Sequence, residues 1–370
     1  MPLTASLKNM NVERLHRILI DLDQEIKSSK IATLLQQVQI HLQNQVSQPN
    51  QPTHQTNLVT HLGKLYEALE QTEYNNYSPS WKEIISEISG DNLFGNSLKL
   101  EIENILSSNT ITPAKALEDI KKIETNFQTF QTAIKNTLNG FKSLGIEEED
   151  LEQGECELGY TIPREYVENK LSELKNEINE LNFILNNISE AITGEKQEYK
   201  VKTISSSDFL LYVIIGLQVA DVLSKATERI LNHYKQILEI KLLRNQLKEK
   251  GIPASKTKEI ESHANGMMKD EIKAIAKEVI AEHYNGENGR KNELENGLII
   301  SLNKLANRID KGFNVEIRVE SLPEPEDDEQ NADYESKVEL INSIKESSQN
   351  IEFIETGGES ILKLSEKKAQ

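Results

Sequence analysis

The chemistry-bearing residues of this chain fall into four groups. The first is "NGRKNELENG" (288–297), where Arg290, Lys291, Glu293 and Glu295 stand at a helix start, with Arg308 and Asp310 near the end of the same helix. Arginine beside carboxylate can bind an anion or move a proton, so Arg290, Glu293, Glu295 and Arg308 are the candidate catalytic set for hydrolase or nuclease chemistry. The competing reading is a solvated helix start with pairs inside the helix. The second group is His41, His54 and His61, which bracket one loop and could meet around a metal; His263 and His283 lie too far apart on one helix to share a ligand. The third is "GIEEEDLEQGECE" (145–157), with Glu147, Glu148, Glu149, Asp150, Glu152, Glu155 and Glu157 and no basic residue. It lacks the alternating Asp/Asn spacing and central glycine of a calcium loop, so it reads as a solvated linker. The fourth is Cys156 inside that acidic stretch, where neighbouring carboxylates blunt a nucleophile. Phosphate-binding glycine loops, a nucleophile elbow, the zinc-protease helix motif and paired-cysteine knuckles are all missing from the sequence. No cofactor or metal is expected, and no reaction is legible.

The elements that must position these residues are mostly helices. Val12, Leu15, Leu19, Leu22 and Ile26 recur at steps of three and four, and so do Ile31, Leu34, Leu35, Val38 and Leu42. "SQPNQPTHQTN" (47–57) breaks the period, and Leu58, Leu62, Leu65 and Leu69 resume it. Ser78 before Pro79 and Thr112 before Pro113 open further helices, the second carrying the stripe Ile120, Ile123, Phe127, Phe130, Ile134, Leu138 and Phe141. Residues 1–145 are therefore expected to form an all-helical bundle, followed by an acidic linker at 146–157.

In the second half, Val167, Leu171, Leu174, Ile178, Leu181, Leu185, Ile188 and Ile192 step by 4, 3, 4, 3, 4, 3, 4, the heptad seam of a coiled coil, on a helix expected from Pro163. Three short alternating runs, "LGYTIP", "EYKVKTI" and "FNVEIRVE", read as strands. Long helices are expected up to about Lys250, over 255–284 and over 290–311, with Gly312 as the cap of the last. "ISSSDFLLYVIIGLQVADVL" (204–223) has nine continuous apolar residues, Phe209 to Leu217, well short of the roughly 20 that a membrane span needs. It reads as a core helix over 207–223, capped by Ser207 with Asp208 at its positive end. Residues 158–320 thus form a helical domain with a small three-stranded sheet, and 321–370 an acidic linker and appendage, ending in a hairpin around Gly357 and Gly358. The fold class is mainly α (α+β).

A net charge of −18 argues against general nucleic-acid or anionic-membrane binding. One cysteine, and charges inside the only apolar stretch of the N-terminus, point to a reducing cytoplasm without a signal peptide. In combination, "ITPAKALEDI" (111–120), "GECELGYTIPRE" (154–165), "TISSSDF" (203–209), "YKQILEIKLLRNQL" (234–247) and "RKNELENGLIISLNKLANRIDKGFNVEIRVE" (290–320) resemble a family of uncharacterised, mainly helical bacterial proteins of unknown function, over residues about 1–320. The resemblance carries over no functional residue. The heptad seam without a catalytic signature points to a non-enzymatic cytoplasmic bacterial protein that acts by self-association into a homo-oligomer or by protein–protein interaction. The alternatives are a conditional membrane-inserting effector of the pore-forming type, and the hydrolase or nuclease centred on 290–310.

Overall fold

A computed structural model describes residues 11–205, 209–251, 253–323, 332–354, 356 and 359–367. Contacts divide the chain into two units, Met1–Asp150 and Leu151–Gln370. Among the described residues there are eleven α-helices and one four-stranded antiparallel sheet, so the protein is mainly α with a small sheet.

The first unit is a bundle of α1 (Val12–Ser29), α2 (Ile31–Ser47), α3 (Pro52–Glu70), α4 (Pro79–Glu87), α5 (Gly95–Ser108) and α6 (Pro113–Leu144). Its helix ends follow from the sequence. Asn11 accepts from Arg14 N at 3.1 Å, and prolines occupy the first turns of α3, α4 and α6. Gly145, at φ +67°, ends α6 while Ile146 N donates to Phe141 O at 3.0 Å. Ser78 sits at the cap position of α4, yet its hydroxyl bonds no helix N–H. Phe94 meets Phe127 and Phe130 in the core at centroid separations of 5.6 and 5.9 Å.

The second unit contains β1 (Cys156–Ile162), α7 (Leu171–Thr193), β2 (Lys200–Ser205), β3 (Phe209–Ile215), α8 (Leu217–Glu249), α9 (Ala254–His283), α10 (Asn288–Ile309), β4 (Asn314–Val319) and α11 (Ala332–Gln349). The sheet order is β2-β3-β1-β4. Register aligns Leu158 with Val213 and Ile317, and Tyr160 with Leu211 and Val315, so these apolar residues share one buried face. Helix α8 lies against β1 and β4, α9 packs on α8 and α10, and α10 packs on α7.

Four expectations are corrected here. The apolar run is not a helix over 207–223: Phe209–Ile215 is the strand β3, and α8 starts only at Leu217. Phe, Tyr, Val and two Ile in seven residues favour a pleated strand over a helix. Ser207 and Asp208 lie outside the described residues. The three-stranded sheet is therefore four-stranded, and the apolar part of the element read as a core helix is a paired strand. No helix among the described residues is long and apolar enough to cross a membrane.

The acidic stretch is not uniformly solvated. Cys156 and Glu157 belong to β1, and Glu149 is buried in the first unit, bound through both oxygens to Arg14 at 2.8 Å. The C-terminal part is not an appendage either. Ile341, Ile344, Ile351, Ile361, Leu362 and Leu364 all belong to the core of the second unit. Gly357 and Gly358 lie outside the described residues, and the described residues on either side of them form no hairpin strands.

Candidate functional site

The 290–310 cluster does not converge. Arg290 is exposed and pairs with Glu293 at 2.8 Å and with Glu190 of α7, while Glu295 is half-buried. Arg308 is buried and bound to Glu177 of α7 at 2.8 Å. Eighteen residues of one helix place Arg290 and Arg308 roughly 27 Å apart. No reacting atom can meet all four side chains, so the hydrolase or nuclease centre expected there is not formed.

The heptad seam is divided as well. Val167 is buried but lies in the turn before α7, and Leu171 at the first position of α7 is 81% exposed. Leu181, Leu185 and Ile188 are buried, Leu174 and Ile192 are partly buried against the same core, and Ile178 is exposed. Glu177 and Ile184 are buried instead, so the covered stripe is offset from the seam and belongs to the core of the second unit itself. Among the histidines, His41 and His61 stack at 4.5 Å between α2 and α3, and His54 bonds Gln48 at 3.2 Å. Burial, and next to it His61, holds His41 below its usual range. No group of three His, Cys, Asp or Glu among the described residues is placed to hold a metal. The Cys156 thiol is buried and pushed up to about 12, first by burial and then by Glu155.

The most organised polar constellation lies elsewhere, where α8, α9 and α10 grip Thr356 and the segment 359–366. Its residues stand at helical spacing: Lys241, Arg244 and Lys248 on α8, Glu261 and Asn265 on α9, and Asn303 and Asn307 on α10, with Asp310 at the end of α10. Steps of three and four put each set on one face. The turn after Asp310 is closed by Gly312 at φ +90°, a conformation that side chains resist, and there Phe313 N donates to Arg308 O at 3.0 Å.

These side chains bind main chain. Arg244 donates to Glu359 O at 2.6 Å and to Ser360 O at 3.3 Å. Asp310 Oδ2 accepts from both Ile361 N and Leu362 N, at 2.6 and 2.7 Å. Asn265 donates to Ile361 O at 3.0 Å and accepts from Lys363 N at 2.6 Å. Asn307 both donates to Leu364 O and accepts from Leu364 N, each at 3.0 Å, and Asn303 donates to Ser365 O at 2.8 Å. From Asp310 back to Asn303 the helix rises about 10.5 Å. Residues 362 to 365 cover that stretch in the opposite direction, close to the reach of extended chain. Ile361, Leu362 and Leu364 are buried, while Lys363 and Ser365 face outward.

Beneath the segment sits a buried ion pair. Lys241 and Asp310 have fully covered side chains and lie 3.0 Å apart. Tyr234 OH donates to Asp310 Oδ1 at 2.8 Å, and Lys241 also donates to Thr356 O at 3.2 Å. Burial, then the Asp310 charge, pushes the Tyr234 phenol above its ordinary range, so it stays a donor. Asp310 thus accepts from Tyr234, Lys241 and two main-chain amides, which compensates a carboxylate held away from water. At the rim, Glu359 pairs with Lys248 at 2.7 Å, Lys363 with Glu261 at 3.5 Å, and Glu366 with Lys304 at 3.6 Å. Lys248, and beyond it Arg244, holds the Glu359 carboxyl below the usual range. The arrangement contains no activated nucleophile. Its side chains bond the main chain of residues 359–365 and cover Ile361, Leu362 and Leu364.

Sequence reasoning missed this site, although one signal marks it. On α8, Lys241 and Arg244 are 0% and 1% exposed while Leu242 and Leu243 between them are 50% and 52% exposed, the reverse of an ordinary amphipathic helix. No protein-family model matches the chain, no curated protein matches its sequence, and no solved structure matches its fold.

Proposed function

We propose that this protein is a non-enzymatic cytoplasmic association module, acting through self-association or binding to another protein, and that the groove on α8, α9 and α10 is its binding surface. The observation that carries this reading is the capture of main chain by side chains. Asn265, Asn307 and Asp310 bond the amides and carbonyls of residues 361–364, groups that every peptide offers. Affinity from main-chain bonds with selectivity from pockets at chosen positions is the physical logic of peptide recognition. The buried lone thiol supports a reducing compartment. The exposed Leu171 leaves the N-terminal end of the α7 seam as a second contact for self-association.

The test uses the full chain with its own segment displaced by Ile361→Asp and Leu364→Asp. A fluorescent peptide of the sequence 356–367 should bind this variant and bind the wild type about tenfold more weakly or less, because the wild-type groove is filled. Asn307→Leu added to the variant should abolish binding. A folded variant that fails to take the peptide would remove the groove as an interface.

A further inference from the structure

We infer that the open edge of the sheet is where two copies of this chain meet, β2 of one pairing antiparallel with β2 of the other about a twofold axis. This contact serves the self-association half of the proposed function, and it shares no residue with the groove. Strand β2 (Lys200–Ser205) lies at one end of the strand order, with β3 on its inner side and no described strand on its outer side. Such an edge presents main-chain N–H and C=O groups to a further strand, and proteins commonly blunt it with lysines and bulges. Here neither device closes it. Lys202 does not project from the edge: its ammonium is buried and reaches over β3 to Glu157 of β1, at 3.4 Å. The bulge, between Val201 and Thr203, gathers apolar side chains. Val201 stands opposite Val213 and Ile204 opposite Leu211, both core residues, so Val201 and Ile204 point to the same face. In a regular strand, residues three apart point to opposite faces. Val201 and Ile204 are nonetheless 51% and 59% exposed, because β2 overhangs the core and packs chiefly on β3.

What points to a second copy is that the strand is complementary to itself. Residues opposed across an antiparallel pair share a face, so a regular strand meets its own copy only in registers centred on a residue. Centring on Lys202 would set lysine against lysine. The bulge permits the register centred between Lys202 and Thr203, the one in which all six residues of β2 find a partner. Val201 then faces Ile204 of the second copy, and Ile204 faces Val201, on the same side of the joined sheets. Lys202 faces Thr203 and Lys200 faces position 205, so no two like charges are opposed.

The experiment is sedimentation equilibrium on the full chain, with circular dichroism confirming the helices of each variant. Strands this short, with two apolar pairs, bury less than a standard interface, so the wild type should dimerise with a Kd of about 10–100 μM. V201E/I204E sets glutamate against glutamate at both pairs and should weaken the dimer about tenfold or more. V201K/I204K should weaken it as much, although it lowers the net charge of −18 and with it the general repulsion between copies. V201E/I204K sets glutamate against lysine at both pairs and should recover most of the affinity. A wild type that stays monomeric at about 1 mM would overturn the contact, and so would a dimer that V201E/I204E and V201K/I204K leave intact. If V201E/I204K were as weak as V201E/I204E, the register would fall and the twofold pairing with it. Smaller substitutions give a second measurement. Chains with V201C and chains with I204C should form a disulfide-linked dimer on oxidation when mixed, and far less when either is alone. Cross-linking as strong in either alone would overturn the register. None of these substitutions touches the groove, so peptide capture there stands or falls separately.

Discussion

At the scale of single residues, the second unit depends on charges that have no contact with water. Lys241 neutralises Asp310, and Asp310 in turn holds Tyr234 and two amides of the captured segment. Lys241→Met keeps the volume of the stem but leaves a buried carboxylate facing only neutral donors. The expected cost is about 3–5 kcal/mol, read as a lower midpoint in urea unfolding followed by circular dichroism. A loss below about 1 kcal/mol would mean that water reaches the pair. The first unit carries a different electrostatic feature. Glu25 of α1 accepts from Tyr74 N at 3.2 Å, yet burial raises its carboxyl from 4.5 to about 7, against the opposing pull of that amide. A carboxyl raised on folding contributes stability in full below about pH 4.5, and the contribution is lost as pH rises through about 7. Glu25→Gln should therefore flatten the fall in thermal stability between about pH 5 and 8, and raise Tm by roughly 2–4 °C at pH 8. An unchanged pH profile would show Glu25 ionising as freely as in the unfolded chain.

At the scale of elements, periodicity made the helices legible and the sheet only partly so. The stripes on α1, α2 and α6, the long helices α8, α9 and α10, and the proline starts of α4 and α6 were readable, because one face of each helix is buried and its spacing survives in the sequence, whereas α3 starts at Pro52 inside the stretch read as a loop. β1, β2 and β4 were readable from alternation. β3 was not, because it is apolar on both faces, with Leu211, Val213 and Ile215 in the core and Leu210 and Ile214 half-buried on the other side, and a short continuous apolar run looks like a buried helix. The groove was hidden for a related reason. Its polar side chains face inward, so Asn303, Asn307 and Lys241 read as the solvent side of their helices. The seam failed in an instructive way: a 4-3 spacing fixes which residues share a face, but not where the helix starts. The six residues after Pro163 form turns, with Glu168 and Asn169 at positive φ, which removes Val167 from the helix and leaves Leu171 at an open end. The consequence is measurable. Leu185→Ala should cost about 2–5 kcal/mol, whereas Leu171→Glu should change stability by less than about 0.5 kcal/mol. Equal costs would mean that the whole heptad seam is buried, through an interhelical contact that α7 makes with another chain.

At the scale of the whole molecule, the central claim is that a segment completing the core of the second unit is also a ligand that can leave it. Most extended segments in a fold are held by neighbouring strands, whereas this one is held by side-chain amides and carboxylates of helices whose own backbone bonds do not involve it. The proposed function requires that release open the groove without unfolding α8, α9 or α10, and so places the segment at the low end of the local-stability range. Native-state hydrogen exchange measures this directly. The account predicts that the amides of Ile361, Leu362 and Leu364 exchange about a hundredfold or more faster than those of Leu302 and Leu305 in α10, at a rate nearly insensitive to denaturant, as local opening requires. Exchange of all five amides together, at the rate and denaturant dependence of global unfolding, would contradict it and make the segment a permanent part of the fold.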